Sequence, residues 1–245
     1  MIDPAPPALL ASGVRKAYGG RQVLDGLSFA VAPGSAVALV GVNGAGKTTL
    51  LRGLLDLLRI DDGAISIFGT PHTLTAARAA LAFLPERFTA PAFARGNDVL
   101  RHLLSLHDLP CDRARAAAEA AALDLDPSAL ARPVRSYSKG MAQKLGLVAC
   151  ILAGRPLLVL DEPLSGLDPK ARALVKRRLA ALKAAGTTLF FSTHLLPDVE
   201  AWCDALLVLA GGRVAFDGTP STFLDTYAAS NLEEAFLRCI DAPPG

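Results

Sequence analysis

The chain has 245 residues, of which 51% are hydrophobic and 20% are charged, and its formal net charge is +2. This length is enough to bury one substantial core with a modest additional lobe, and the even spread of basic and acidic residues predicts no nucleic-acid partner. No uncharged apolar run approaches the roughly 18 residues of a membrane-spanning helix, and the N-terminus does not have the pattern of a signal peptide, so we expect a cytoplasmic protein.

The N-terminal third is predicted to contain a small antiparallel sheet. Residues 23–31 and 64–68 are short segments, β-branched or aromatic and separated by turns, which is typical of such strands. Between them, the apolar run AVALVG at 36–41 predicts a buried strand. A glycine-rich turn follows and leads into a predicted helix from about residue 47 to residue 58.

The middle of the chain is predicted to be helical. Residues from roughly 95 to 153 are rich in Ala and Leu and have almost no strand signal, so we expect a helical subdomain, at about 90–154, inserted into an α/β core. Within it, Ser138 is predicted to be a helix N-cap. Apolar residues follow at helical spacing, the pattern of a helix packed on one side; they are Met141, Leu145, Val148 and Leu152.

The last third alternates strands and helices. Residues 156–161 and 187–193 predict two apolar strands, with a helix between them over 169–186. This β-α-β order predicts a parallel sheet covered by helices. A hairpin is predicted over 205–218, and a helical tail over about 220–241.

A phosphate-binding loop is indicated by GVNGAGKTT, which matches G-x-x-x-x-G-K-[ST] after a predicted strand and before a predicted helix. Its glycines let backbone N–H groups surround phosphate oxygens, and the helix N-terminus favours their charge. We expect Lys47 to reach the β- and γ-phosphates of a nucleotide and Thr48 to ligate Mg²⁺. The predicted nucleotide contacts in this loop are Gly41, Asn43, Gly44, Ala45, Gly46, Lys47, Thr48 and Thr49.

Groups for hydrolysis follow the next two strands. Asp161 ends the strand LLVLD, where it can hold Mg²⁺ directly or through water, and Glu162 comes next, where it can polarise an attacking water. His194 ends the following strand, at the sheet edge where ligands are expected. We therefore predict an α/β fold with a P-loop NTPase core, a parallel sheet, a small N-terminal antiparallel β subdomain and an inserted helical subdomain.

The segment SKGMAQ offers a second phosphate-binding helix start, and it resembles the signature segment of the ATP-binding-cassette (ABC) ATPases, usually written LSGGQ. Ser138 and Gly140 match its Ser and first Gly, whereas Tyr137 replaces Leu and Lys139 replaces Gly. The variant with Lys before this Gly and Met after it is familiar among export-type members. The resemblance implies that two ATP-binding subunits, identical or related, pair head to tail, and that Ser138 and Gly140 contact the ATP held by the other copy.

Further residues match this family in order. Tyr18 resembles the aromatic residue that stacks on adenine, with Val23 beside it, and Asp168 of SGLD resembles the D-loop residue at the dimer seam. His194 resembles the switch histidine that contacts the γ-phosphate. Glu86 occupies the Q-loop glutamine position, where a carboxylate can still ligate Mg²⁺. The resemblance covers residues 9–240 as one ATP-binding domain.

The implied function is an ATP-hydrolysing subunit that drives separate transmembrane permease subunits, attached through them to the inner face of the cell membrane. A soluble ABC protein of translation or DNA repair is the alternative, but such proteins carry paired cassettes or long coiled coils. The tail SNLEEAFLRCI, with a predicted capping box of Ser230 and Glu233, resembles the closing helix of export-type ATPases. We therefore expect export, with the ATPase subunit of an importer as a further alternative, because a plain packing helix explains the tail equally well.

Overall fold

The structure is a computed structural model that describes residues 5–200 and 202–241. The strands are β1 (Leu9–Tyr18), β2 (Arg21–Val31), β3 (Ala36–Gly41), β4 (Asp62–Ile67), β5 (Thr70–Pro71), β6 (Leu81–Leu84), β7 (Leu157–Asp161), β8 (Thr188–Thr193), β9 (Ala205–Ala210) and β10 (Arg213–Gly218). The α-helices are α1 (Lys47–Leu54), α2 (Thr75–Ala79), α3 (Gly96–Ser105), α4 (Arg113–Ala122), α5 (Lys139–Ala153), α6 (Pro169–Ala184), α7 (Pro197–Glu200), α8 (Pro220–Thr226) and α9 (Leu232–Asp241). Two short 3₁₀ helices, Pro127–Ala131 and Val134–Ser136, lie between α4 and α5.

The larger sheet has the strand order β10-β9-β3-β8-β7-β6. Its strands run parallel except at the β9–β10 hairpin. Side chains alternate between the two faces, as a pleated strand requires: Val37 and Leu39 enter one core, whereas Ala38 and Val40 enter the other. The predicted parallel sheet, with α6 joining the neighbouring strands β7 and β8, is confirmed.

The smaller sheet is antiparallel, with the order β2-β1-β4-β5. Its central strand, β1, was not predicted, although it pairs with both β2 and β4. Leucines of α1 fill the core between the two sheets, together with inward residues of β1, β2 and β4. The small sheet therefore covers one face of the large sheet and encloses the helix that follows the predicted phosphate loop.

Helices cover the opposite face, and α5 is the most deeply placed of them. Every residue from Gln143 to Ala153 is buried, so the prediction of a helix packed on one side was wrong. The reason is its position, because α5 contacts α3 and α4 on one side and β6 on the other. Gly146 permits the close approach, since an added Cβ would lie 2.6 Å from Cδ1 of Leu84.

Two helix ends differ from the prediction. Helix α1 ends at Leu54 rather than at residue 58, because Asp56 has a φ of 57° and the N–H of Leu57 donates to the carbonyl of Arg52 at 2.9 Å. This hydrogen bond, together with the left-handed conformation of Asp56, ends the helix in a Schellman arrangement.

At the start of α9 the N-cap is Asn231, whose side-chain oxygen accepts from the N–H of Glu234 at 2.9 Å. Glu234 in turn accepts from the N–H and hydroxyl of Ser230. The predicted capping pair of Ser230 and Glu233 was therefore displaced by one residue.

None of the helices in the described part of the chain combines the length and the apolar composition needed to cross a membrane.

Candidate functional site

A pocket of about 1210 Å³ opens where β3 and β7 end and β8 leads into His194. It brings together the predicted nucleotide, catalytic and metal residues that lie outside the signature segment. These lining residues are Tyr18, Val23, Gly41, Asn43, Gly44, Ala45, Gly46, Lys47, Thr48, Thr49, Glu86, Asp161, Glu162 and His194. Residues far apart in the sequence meet here because the carboxyl ends of parallel strands share one edge of the sheet.

The loop from β3 to α1 takes its shape from glycine. Gly44 and Gly46 have φ values of 84° and 105°, a region that side chains with a Cβ rarely adopt. A Cβ on Gly46 would also lie 2.8 Å from Cδ2 of Leu24. Helix α1 begins directly after this residue, with no side-chain cap and no acidic residue in its first turn. Its first N–H groups are thus left available for an anion.

Lys47 is the basic residue at the start of α1, and it lines the pocket. Its ammonium donates to the carbonyls of Gly41 at 2.5 Å and Val42 at 3.3 Å. Burial lowers the pKa of Lys47, while the carboxylates of Glu162, Asp161 and Glu86 act in the opposite direction. A partly desolvated cation is well suited to a polyanionic ligand, because phosphate can replace the loop carbonyls as its partner.

Asp161 is a buried carboxylate at the end of β7. Its oxygen accepts a hydrogen bond from the hydroxyl of Ser192 on the adjacent strand β8. Burial raises the pKa of Asp161, the Ser192 bond opposes the rise, and the charges of Glu86 and Glu162 add to it. A hard-oxygen ligand set of this kind, with the hydroxyl of Thr48 on the same pocket wall, fits Mg²⁺ chemically.

Glu162 follows Asp161 in a left-handed backbone conformation, with a φ of 48°. Its N–H donates to the hydroxyl of Ser192 at 2.9 Å. Its carboxylate lies 2.8 Å from Nδ1 of His194, with the glutamate side chain 12% exposed and the histidine 55% exposed. The turn after β7 thus places a nearly buried carboxylate beside the exposed imidazole that follows β8.

Glu86 is exposed on the pocket wall, in the segment between β6 and α3. Gln143 of α5 bonds to this segment on both sides of Glu86. Its side-chain amide donates to the carbonyl of Pro85 at 3.5 Å and accepts from the N–H of Phe88 at 3.4 Å. The wall that carries Glu86 thus contacts the helix that follows Ser138.

Sequence reasoning missed several residues of this site. Ser192 holds both Asp161 and Glu162, and the signal that could have found it is a hydroxyl in the otherwise apolar strand FFST. The other missed residues have no local signal because tertiary packing brings them to the pocket; among them are Arg21, Gln22, Gly211, Gly212, Glu233, Phe236 and Leu237.

The signature segment lies elsewhere, in a second pocket that shares no lining residue with the first. This smaller pocket is lined by Ser138, Lys139, Gly140, Met141, Lys144, Gly166, Leu167 and Asp168. The hydroxyl of Ser138 accepts from the N–H of Met141 at 3.1 Å, which confirms Ser138 as the N-cap of α5. Gly140 packs closely on the D-loop segment, since an added Cβ would lie 3.2 Å from the carbonyl of Gly166. The predicted residues Ser138 and Gly140 therefore do not line the first pocket, where the other predicted site residues meet.

Known proteins resemble this chain in sequence and in fold. Residues 24–165 match the family model described as ABC transporter. The chain is 34% identical to the Nod factor export ATP-binding protein I of Ralstonia nicotianae, over 97% of this chain and 77% of that protein. It is 37% identical to the daunorubicin resistance ATP-binding protein DrrA3 of Streptomyces coeruleorubidus, over 88% of this chain and 69% of that protein. A solved structure described as the ATP binding subunit of an ABC transporter has a TM-score of 0.86 at 30% identity, covering 95% of this chain and 99% of that one.

Proposed function

Since the chain belongs to the ABC transporter family of ATP-binding proteins, we propose that it binds and hydrolyses ATP to drive separate transmembrane permease subunits in export. The ATP-binding domain is assigned to residues 9–240, with a helical subdomain at about 90–154 and a helical tail at about 220–241. The observation that carries the proposal is one pocket in which the phosphate loop, Asp161, Glu162 and His194 meet. We place the adenine against Tyr18 and Val23.

The phosphate end of ATP is assigned to the glycine loop and α1. Lys47 exchanges its carbonyl partners for β- and γ-phosphate oxygens. Thr48, Asp161 and Glu86 hold Mg²⁺, which neutralises charge on the phosphate oxygens when it is bound. Within the described residues, no group of three or more His, Cys, Asp or Glu side chains could hold a metal unaided. The remaining Mg²⁺ ligands therefore come from the nucleotide and water, as is usual for this ion.

Glu162 is assigned as the general base. Its carboxylate accepts a proton from the water that attacks the γ-phosphorus, and the bond from its backbone N–H to Ser192 holds it at the sheet edge. His194 bonds to the same carboxylate through Nδ1, which leaves Nε2 to contact the γ-phosphate.

A second copy completes the site. Ser138 and Gly140 lie in a pocket of their own, so they contact ATP only when they face the nucleotide pocket of another subunit. Two ATP molecules between two head-to-tail subunits satisfy both pockets of each chain. Hydrolysis then removes the γ-phosphate that joins the subunits, and the pair opens.

Permease coupling is assigned to the segment around Glu86, because the resemblance to the family implies that role for the Q-loop position; Gln143 joins this segment to α5. The export direction rests on the two relatives, which are named as an export and a drug resistance ATP-binding protein. The assigned location is the inner face of the cell membrane, on the permease subunits.

The test is Glu162→Gln, which keeps the size of the side chain and removes its basic carboxylate. Hydrolysis is expected to fall steeply, while size-exclusion chromatography with Mg-ATP shows a dimer that is absent with ADP. A variant that hydrolyses ATP normally and stays monomeric contradicts the assigned base and the assigned dimer.

A further inference from the structure

Helix α9 presents one face to the nucleotide pocket that none of the assigned steps uses. Leu232, Ala235 and Cys239 are buried against the core, whereas Glu233 and Leu237 lie one helical turn apart on an exposed face. Both line the nucleotide pocket, and Leu237 is 57% exposed. The helix that the sequence marked only as a tail is therefore part of the pocket rim.

The charge on this face does not suit the nucleotide. Glu233 forms no hydrogen bond or ion pair with any described residue, whereas its neighbour Glu234 bonds to Ser230 and Arg238. An exposed carboxylate on the rim adds no attraction for the phosphates of ATP. An exposed leucine beside an unpaired carboxylate matches a protein surface that offers a cation and an apolar group.

The signature pocket offers both. Lys139 is exposed, and its ammonium is likewise unpaired with any described residue. The stem of Lys139 lies against the D-loop, 3.3 Å from the position of a Cβ on Gly166. The other basic side chain of that pocket, Lys144, is bound to Asp124. Met141, partly buried on the same wall, supplies an apolar surface.

We propose that the exposed face of α9, formed by Glu233 and Leu237 with the partly buried Phe236 beside them, is a docking surface for the signature segment of a second copy of this chain. The inference rests on the proposed head-to-tail pairing, in which the partner's signature pocket closes the mouth of this pocket. The tail helix then becomes part of the ATP-dependent interface, and its acidic rim meets the basic rim of the partner.

The experiment measures whether α9 becomes covered. Leu237→Cys is placed in the Glu162→Gln background, and the rate of its reaction with a maleimide is measured with and without Mg-ATP. The matched control is Leu57→Cys, because Leu57 is 69% exposed and lines neither pocket. The background chain without an added cysteine gives the contribution of the native thiols. A third arm adds Ser138→Arg, so that ATP is bound but the pair is blocked.

We expect Mg-ATP to slow the labelling of Leu237→Cys in the Glu162→Gln background, but not when Ser138→Arg is added. We expect no change in the labelling of Leu57→Cys. Equal slowing in the Ser138→Arg arm means that nucleotide itself covers α9, and it overturns the proposal. Unchanged labelling in a sample that size exclusion shows to be dimeric also overturns it. A background chain that stays monomeric with ATP overturns the pairing, and the α9 surface with it.

A second measurement tests the charge complementarity. Glu233→Lys in the Glu162→Gln background is expected to raise the protein concentration needed for half-maximal dimer formation, with the difference shrinking at high salt. Asp241→Lys is the control, because it makes the same charge change on the same helix but lies outside the pocket lining. An equal effect of the two substitutions overturns the proposed contact.

Discussion

Ser192 bonds to the carboxylate of Asp161 and to the backbone of Glu162 in the proposed hydrolytic site, and its removal gives a sharp prediction. The hydroxyl is fully buried, donates to Asp161 and accepts from the N–H of Glu162. Ser192→Ala removes both bonds and leaves a buried carboxylate without its donor. The substitution changes no side chain that is assigned to contact ATP.

The size of the effect follows from the two bonds. A hydrogen bond to a charged group contributes about 1.5–3 kcal/mol and a neutral one about 1 kcal/mol, so Ser192→Ala is expected to lower the free energy of unfolding by roughly 2–4 kcal/mol. ATP hydrolysis is expected to fall as well, because Glu162 loses the bond that holds its backbone.

The effect is expected to depend on pH. Burial raises the pKa of Asp161, and the Ser192 hydrogen bond opposes that rise, so the variant raises this pKa further. The folded state then retains the proton to higher pH than the unfolded chain, and stability falls as pH increases through that window. The loss caused by Ser192→Ala is therefore largest near neutral pH and shrinks on acidification towards the ordinary pKa of aspartate.

The assay is urea unfolding at several pH values, without nucleotide. Thr188→Val is the matched control on the same strand, since it keeps the shape of the side chain and removes a buried hydroxyl that accepts from the neutral N–H of Gly34 at 2.9 Å. The control is expected to lose about 1 kcal/mol without pH dependence. Equal losses in the two variants, or a Ser192→Ala loss that grows on acidification, refute the reasoning.

Three further predictions test separate parts of the molecule. Gly46→Ala is expected to weaken binding of a fluorescent ATP analogue more than Gly44→Ala, because both have positive φ but only an added Cβ at Gly46 has neighbours within 4 Å; equal binding contradicts this. Asn231→Ala removes the N-cap of α9 and is expected to cost about 1 kcal/mol in urea unfolding, so an unchanged midpoint argues against the cap. Arg178→Gln breaks a two-bond contact with Glu119, which joins α6 to α4, and is expected to cost roughly 1–3 kcal/mol. That loss disappears in the Glu119→Gln background if the contact is its cause.

The nucleotide pocket could be predicted from the sequence because its parts are local. The phosphate loop, the pair Asp161 and Glu162, and His194 each follow an apolar strand, and parallel strands bring such ends together. The sequence did not predict Ser192 as a site residue, because a hydroxyl in a strand has no motif of its own. Its role depends on the register of β8 beside β7.

The fold was predictable where pattern and period were clear, and not elsewhere. Strand β1, LLASGVRKAY, interrupts its apolar residues with Gly13 and bulges in its pairing with β2, so its alternation is weak. Helix α5 has an apolar stripe, yet it is buried from Gln143 to Ala153 because α3, α4 and β6 all pack on it. The position of α9 at the pocket depends on tertiary contacts, which a single sequence does not encode locally.

In the proposed dimer, each chain completes the ATP site of the other through Ser138. The most direct measurement is ATP binding and ATP hydrolysis by Ser138→Arg, compared with the unaltered chain at equal concentration. We expect the variant to bind ATP as a monomer with unchanged affinity, because Ser138 lies outside the nucleotide pocket of its own chain. We expect it to form no ATP-dependent dimer and not to hydrolyse ATP. Retained hydrolysis, or loss of ATP binding by the monomer, contradicts the proposed pairing.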